Sequence, residues 1–480
     1  MSPVTRRQFI QSAIAASSTV ALSGPKVLAG PEKPTRRPNV VFVFADQWRA
    51  QAAGYAGDPN AKTPHLDQLA AQSANFVNAV SGCPVCSPYR ASLITGRYPL
   101  SHGVFMNDVC LSTDAVSLAQ AFNNAGYDTG YIGKWHLDGH GRNSFIPRQR
   151  RQGFAFWKVL ECTHNYSRSA YYGDEDVKLY WDGYDVIAQT REAQRYVREH
   201  ASGKPFALAL SWGPPHDPYH TGPEKYQAMF KPEAIVLRAN VPADGRKQAQ
   251  EILAGYYAHI AAMDDCVGDL LETLKDCGVE KDTVFVFTSD HGDMLLSHGQ
   301  RNKQQPWDES IRVPFLLRYP AALGTAGKTL DALIDAPDVM PTLLGLCGIE
   351  IPKTVEGVDF SGLVRQTSQV DKEAALLSCP QPFGQWLRDR GGREYRGVRT
   401  RTHTYVRDLN GPWLLLDNQK DPYQLKNLAD SPDHAALRKD LEAMLTKKLK
   451  ETRDEFLPGA KYIEKWGYKV DKNGTVPYTN

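Results

Sequence analysis

Short runs of large apolar residues, each ending abruptly in polar chemistry, alternate along this chain with stretches whose apolar positions recur at helical spacing. The first run is Val40-Val41-Phe42-Val43-Phe44-Ala45, closed by Asp46-Gln47. Thr283-Val284-Phe285-Val286-Phe287 repeats the arrangement and passes into Thr288-Ser289-Asp290-His291-Gly292. A third, Phe206-Ala207-Leu208-Ala209-Leu210, runs on to Pro214-Pro215-His216-Asp217. Unbroken runs of this length, rich in β-branched and aromatic residues, predict strands buried on both faces. Helices are predicted over Thr63 to Phe76, Ser117 to Ala125, Asp185 to His200 and Ala249 to Cys277. Strands alternating with helices imply an α/β fold, a large mostly parallel (mixed) sheet sandwiched by helices. Ligands bind such sheets beyond the carboxyl ends of the strands. Asp46, Asp290 and His216 are therefore expected on one edge.

The pattern changes in the last quarter of the chain. Leu376-Leu377 and the alternating stretch Tyr395 to Arg407 predict strands, the latter an exposed antiparallel one. Pro432 to Thr452 predicts a helix with Leu437, Leu441, Met444, Leu445 and Leu449 on one face. The organisation expected is a large α/β domain over 38–365 and a smaller C-terminal α+β subdomain over 366–480, with a short antiparallel sheet and terminal helix. Asp471 to Asn480 carries no periodic signal, and no internal repeat is evident.

The 480 residues hold 56 Lys+Arg and 54 Asp+Glu, a formal charge of +2 that argues against a general nucleic-acid binder. No stretch reaches 18 apolar residues, so a membrane span is not expected. Eight cysteines are too sparse to staple a chain of this size. Residues 1–29 resemble a twin-arginine export signal. Arg6-Arg7 precedes a mildly apolar Ala/Ser-rich run, Val27-Leu28-Ala29 offers a small-residue cleavage site, and no acid precedes Glu32. Cleavage there removes Arg6, Arg7 and Lys26, taking the net charge to −1. The expected compartment is periplasmic or secreted.

Two strand-terminal acids brought together repel unless a proton or a cation lies between them. A divalent cation, with Asp46, Asp290 and the Gln47 amide as oxygen donors and His291 as a possible nitrogen ligand, resolves the conflict. Ca²⁺ suits the oxygen-rich set best, with Mg²⁺ or Mn²⁺ as alternatives. The bland alternative makes each acid a turn or capping residue.

Cys83-Pro84-Val85-Cys86-Ser87-Pro88-Tyr89-Arg90, continuing to Thr95-Gly96-Arg97, is the most informative stretch. Ser87-Pro88 begins a helix. Cys86 then sits at an N-terminus that favours anions, with Arg90 one turn on and leaning back toward it. This segment resembles the sulfatase signature, C-x-P-x-R with a T-G-R ending, of the alkaline phosphatase superfamily. The frame selects Cys86, the only cysteine with Pro at +2 and Arg at +4. The likeness continues in order through Asp46-Gln47, Gly133-Lys134-Trp135-His136-Leu137, Pro214-Pro215-His216, Asp290-His291, Lys303 and Leu415 to Pro422.

The resemblance implies that Cys86 is converted by a maturation enzyme to formylglycine, a built-in cofactor and a ligand of the cation. Its hydrate then attacks sulfur. Arg90, Lys134 and Lys303 supply fixed charge, with Lys134, His216 and Lys303 also binding substrate. His216 is favoured to protonate the leaving alcohol and His136 to assist the second step. The reaction implied is hydrolysis of a sulfate ester on a small molecule or glycan. Gln47 where the family usually has Asp, together with His291, also resembles the phosphonate monoester and phosphodiester hydrolases of the superfamily. A fold kept only for glycan binding is the third reading. His220, Asp217, Asn107-Asp108 and Arg142 are left between pocket and turn. Arg148, Arg150 and Arg151 are left between further sulfate contacts and a solvated cluster. The loops 138–153, 161–182 and 216–244 are expected to shape the pocket. Oligomeric state is not legible.

Overall fold

Strand β1 (Asn39–Asp46) is buried along its whole length, and its side chains divide by parity. Val40, Phe42 and Phe44 enter one hydrophobic core, and Val41, Val43 and Ala45 enter another. That division is what a strand with period two must do when helices cover both faces of its sheet. Each such side chain contributes on the order of 1.5–3 kcal/mol on burial. The unbroken apolar run thus encodes a central position.

The computed structural model describes residues 37–370 and 372–477. The export signal expected over residues 1–29 lies outside them. The remaining strands are β2 (Ala74–Val80), β3 (Asp128–Lys134), β4 (Phe156–Leu160), β5 (Ala170–Tyr171), β6 (Leu179–Tyr180), β7 (Phe206–Pro215), β8 (Thr283–Ser289), β9 (Phe315–Arg318), β10 (Lys328–Asp335), β11 (Ala375–Cys379), β12 (Tyr395–Arg399), β13 (His403–Asp408) and β14 (Gly411–Asp417). Eight form one sheet in the order β10-β2-β9-β8-β1-β7-β3-β4, parallel throughout except for β9. The longer helices are α1 (Pro64–Ala70), α2 (Cys86–Thr95), α3 (Leu118–Asn124), α4 (Asp185–His200), α5 (Arg246–Asp276), α6 (Ala336–Leu346), α7 (Ala435–Glu451) and α8 (Gly459–Trp466). Helices α1, α4 and α5 pack on one face, α2, α3 and α6 on the other. No helix among the described residues is long and apolar enough to cross a membrane.

Register places the chemistry. Ala45 pairs with Ser289, Asp46 with Pro215, and Gly133 with Ser211. Asp46, Asp290, Lys134 and His216 therefore leave the sheet along one carboxyl edge, as the topology requires.

Strands β11 to β14 form an antiparallel sheet in sequential order. Its two faces enter different cores. One includes Val80, Ile311 and Leu333 of the large sheet's side, and the other includes Leu441 and Leu445 of α7. Leu437, Met444 and Leu449 complete that face of α7 as predicted. Two expectations need correction. The helix predicted over Thr63 to Phe76 stops at Ala70, and Phe76 belongs to β2, so one apolar pattern spanned two elements. The exposed strand predicted over Tyr395 to Arg407 is two strands, and β12 is wholly buried. Its polar residues are paired rather than solvated: Arg396 meets Asp454 and Arg399 meets Asp308. Alternating charge was mistaken there for exposure. The tail from Asp471 is ordered as far as described, closing a turn through Asp471 N and Thr475 O (2.8 Å).

Candidate active site

Helix α2 begins at Cys86, and all ten of its residues are buried. It ends at Gly96, whose φ of 65° and N–H bond to Ser92 O make a left-handed cap. The helix is thus closed at its C-terminus and sealed inside the core, which fixes Cys86 beneath the carboxyl edge of the sheet. Arg90, one turn on, spans the two strand-end acids. It donates to Asp290 Oδ2 from Nε (3.2 Å) and Nη2 (3.0 Å), and to Asp46 Oδ2 from Nη2 (3.2 Å). Its remaining donor meets Lys134 O (2.8 Å) and Ser211 Oγ (2.7 Å). A fork of this shape is what arginine offers and lysine does not.

Four sequence-predicted groups surround the Cys86 sulfur. His291 Nε2 and Lys303 Nζ lie 3.3 Å from Sγ, Asp46 Oδ1 3.6 Å and Lys134 Nζ 3.9 Å. Lys134 Nζ also donates to Asp46 Oδ2 at 2.6 Å, and Lys303 Nζ to the Gln47 amide oxygen at 2.9 Å. Burial alone would raise the Asp46 carboxyl, but Lys134 and Lys303 hold it well below its ordinary range. Burial and Asp46 likewise raise the Cys86 thiol, and Lys134 and Lys303 outweigh them to favour the thiolate. The site is built to hold negative charge at position 86. Cys83, by contrast, is pushed up to about 12 by burial and stands apart from this cluster.

Asp46 Oδ1, Asp290, Cys86 Sγ and His291 Nε2 form a buried donor set whose ligand atoms all lie within 4.8 Å of one another. His291 Nδ1 is 2.9 Å from Gly292 O, which assigns the proton to Nδ1. The Nε2 lone pair then faces the carboxylates of Asp46 and Asp290 at 3.5 Å each. A lone pair and two anions pointed at one place are mutually repulsive unless a cation lies among them. The donors therefore fit a divalent ion, two hard oxygens and a nitrogen being an acceptable set. Gln47 is held at φ 71°, its N–H on Asp290 Oδ1 (3.1 Å) and its amide nitrogen on Asp293 Oδ2 (2.7 Å). Asp293, also bonded by Tyr219, was not anticipated.

A cleft of about 400 Å³ opens above Cys86. Lys134, His136, His216 and Lys303 line it. His216 is neutral in this arrangement. Burial and Lys303 push it down to about 4, its Nε2 accepts from Lys303 Nζ (2.8 Å), and His164 stacks on its ring. Of the undecided residues, Asn107, Asp108, Arg142 and Asp217 join the cleft, while His220 lies in a separate groove. Arg150 and Arg151 bond Asp138 and Asp174, and Arg151 is buried, so neither forms a free cationic cluster. Each of the three predicted loops contributes to the cleft. Sequence reasoning missed its opposite wall, formed by Asn302, Phe383 to Gln385, Asn473 and Thr475. Gly384 N donates to Asn473 O (2.8 Å), which docks the tail on that wall. No spacing or periodicity signalled these residues.

A family model described as Sulfatase matches residues 38–349, and one described as N-sulphoglucosamine sulphohydrolase, C-terminal, matches 297–453. An ulvan-active sulfatase of Formosa agariphila is 43% identical over 462 residues, covering 94% of this chain and 89% of its own. A solved Bacteroides thetaiotaomicron 4S-sulf protein of glycosaminoglycan metabolism superposes with TM-score 0.81 at 28% identity, over 90% of this chain and 98% of its own. The phosphonate monoester hydrolase of Agrobacterium radiobacter superposes with TM-score 0.69 at 25% identity, over 88% and 96%.

Proposed function

The chain belongs to the sulfatase family, and on that premise we propose that it is an exported enzyme that cleaves sulfate esters of a sulfated carbohydrate. The observation that carries the substrate class is the outer wall of the cleft. Asn107, Asn302, Gln385, Asn473 and Thr475 present hydrogen-bonding groups, with Phe383 the aromatic exception. That lining suits a polyhydroxylated leaving group better than an aryl one. The names of the ulvan-active and glycosaminoglycan-related proteins support the same reading.

Formylglycine at position 86 would supply, as its hydrate, an oxygen nucleophile in place of Sγ. A divalent cation, best Ca²⁺ with Mg²⁺ or Mn²⁺ as alternatives, would supply positive charge where charge builds on the reacting oxygens. Asp46, Asp290 and His291 would hold it, with the second lone pair of the Gln47 oxygen also available. Arg90 fixes the two carboxylates and keeps them from repelling one another. Lys134 and Lys303, both held charged by their acidic surroundings against burial, present ammonium groups to the sulfate oxygens. The departing oxygen takes its proton from the hydrogen-bonded Lys303–His216 pair. His136, across the cleft, serves the remaining proton transfer. The leader with Arg6-Arg7 supports a periplasmic or secreted location, and a maturation enzyme would act before export.

The test is sulfate release from a panel of sulfated mono- and oligosaccharides, with an aryl sulfate and an aryl phosphonate at matched concentration. Turnover of a saccharide sulfate above both aryl probes is expected. The missing charge at Gln47 and the likeness to a phosphonate monoester hydrolase support a second reading, phosphonate monoester or phosphodiester hydrolysis. Faster phosphonate cleavage would establish it. A peptide mass showing unmodified cysteine at position 86, with undiminished turnover, would overturn the formylglycine step.

A further inference from the structure

We propose that Asp108 is a positioning residue for His136, holding the ring so that Nδ1 is the nitrogen that exchanges protons with the reacting groups. The inference deepens the hydrolase reading above and rests on it. His136 Nε2 lies 2.9 Å from Asp108 Oδ1. A carboxylate only accepts, so the proton sits on Nε2 and the neutral ring carries its lone pair on Nδ1. Nδ1 is buried and, the Cys162 thiol beside the ring apart, has no hydrogen-bond partner among the described residues. A structural histidine satisfies both nitrogens. One whose second nitrogen meets only a weakly bonding thiol, in the wall of the cleft that holds Cys86, is poised for a ligand or a reacting hydroxyl.

The pair is held from behind and from below. Asp108 Oδ2 receives Arg142 Nη2 (3.3 Å), which binds the carboxylate to the rim of the cleft. Asp108 (φ 67°) and His136 (φ 60°) both hold left-handed backbone, which persists only where surroundings over-determine it. Ser87 provides that constraint. Its N–H donates to Asn107 Oδ1 (3.1 Å) and its hydroxyl to His136 O (2.8 Å). The residue after Cys86 thus clamps the segments on both sides of the pair, and keeps the ring in register with the nucleophile.

The other titratable groups facing the ring are Cys162, Lys134 and Glu161. Burial and Lys134 disfavour charge on His136, Cys162 and Asp108 favour it, and the net effect raises it well above an ordinary histidine. Glu161 accepts from the N–H groups of Leu137, Asp138 and Gly139 and fixes the chain just past the ring.

The test uses the mature full-length protein and 4-nitrophenyl sulfate as probe. Asp108→Ala is expected to lower kcat by ~10²-fold with KM changed less than about threefold. The His136-dependent limb of the pH–rate profile should move to lower pH. Asp108→Glu should restore part of the rate, and Asp108→Ala added to His136→Ala should cost nothing further. If Asp108→Ala does not fold, Asp108→Asn carries the same expectations. An unchanged profile, an effect confined to KM, or losses that multiply in the double variant would overturn the proposal. NMR titration of the His136 ring in Cys86→Ala, with and without the Asp108 change, reads the coupling without turnover. A ring whose titration ignores Asp108 also overturns it, whereas absent turnover in the wild type counts against the hydrolase reading alone.

Discussion

Asp308→Asn is expected to weaken the attachment of the C-terminal sheet to the loop that carries Lys303. The Asp308 carboxylate receives Arg399 Nε (2.9 Å) and Nη2 (3.1 Å), and Arg312 Nη1 at 3.3 Å. Both Asp308 and Arg399 are buried, at 5% and 2% exposure. Burial opposes ionisation, yet Arg399 and Arg312 lower the carboxyl from 3.8 to about 2. At 1.36 kcal/mol per unit, that depression stabilises the fold by roughly 2.5 kcal/mol at neutral pH. Asparagine keeps the shape and removes the charge, leaving Arg399 with Asn78 Oδ1 (3.0 Å) and Thr400 O (3.3 Å) as weaker partners. The total loss at pH 7 should therefore be ~3–5 kcal/mol. Because the folded value lies below the unfolded one, the carboxylate's contribution is present above about pH 4 and drains as pH falls toward 2. Equilibrium urea unfolding by tryptophan fluorescence should show the charge-dependent part of the gap between wild type and variant falling to about half near pH 3. The loop is further tied through Gln304, which bonds Phe383 O (2.9 Å) and receives Tyr395 OH on its carbonyl (2.9 Å), so kcat should fall along with stability. A gap below about 0.5 kcal/mol at pH 7, or one equally large at pH 3, would refute the reasoning.

Three further outcomes are expected. Cys86→Ala should lose turnover by ~10⁴-fold or more while keeping its circular dichroism spectrum, and residual activity near the wild-type level would exclude position 86 as the nucleophile. Dialysis against EDTA should lower both rate and melting temperature, since Asp46, Asp290 and the His291 lone pair then face one another uncompensated, and added Ca²⁺ should restore both. Full activity in protein shown by elemental analysis to be metal-free would contradict this. Asn473→Ala and Thr475→Val should raise KM for a sulfated saccharide by ~10-fold, one hydrogen bond's worth, while sparing an aryl sulfate. Equal effects on the two substrates would remove the tail from substrate recognition.

Much of the large domain was legible because its determinants are local. A strand buried on both faces announces itself as an unbroken apolar run, and the acid that ends it marks the sheet edge. The segment from Cys86 to Arg97 carries its own helix start, oxyanion geometry and glycine stop. Where local pattern was ambiguous it misled. Thr63 to Phe76 merged a helix with a strand, and the arginines of β12 were taken for a solvated face though each meets a buried acid.

The sequence by itself determined the alternation of strands and helices and the carboxyl edge on which Asp46, Asp290 and His216 emerge. It also determined the frame that singles out Cys86 and Arg90. Tertiary structure alone decided the pairing of Asp108 with His136, the neutral His216 on Lys303, and the cleft wall from Asn302, Phe383 to Gln385, Asn473 and Thr475. The division has a physical reason. Periodicity and capping act over a few residues and leave a trace in their order. A contact between residue 384 and residue 473 leaves none, because only the packing of the small sheet on the large one brings them within reach.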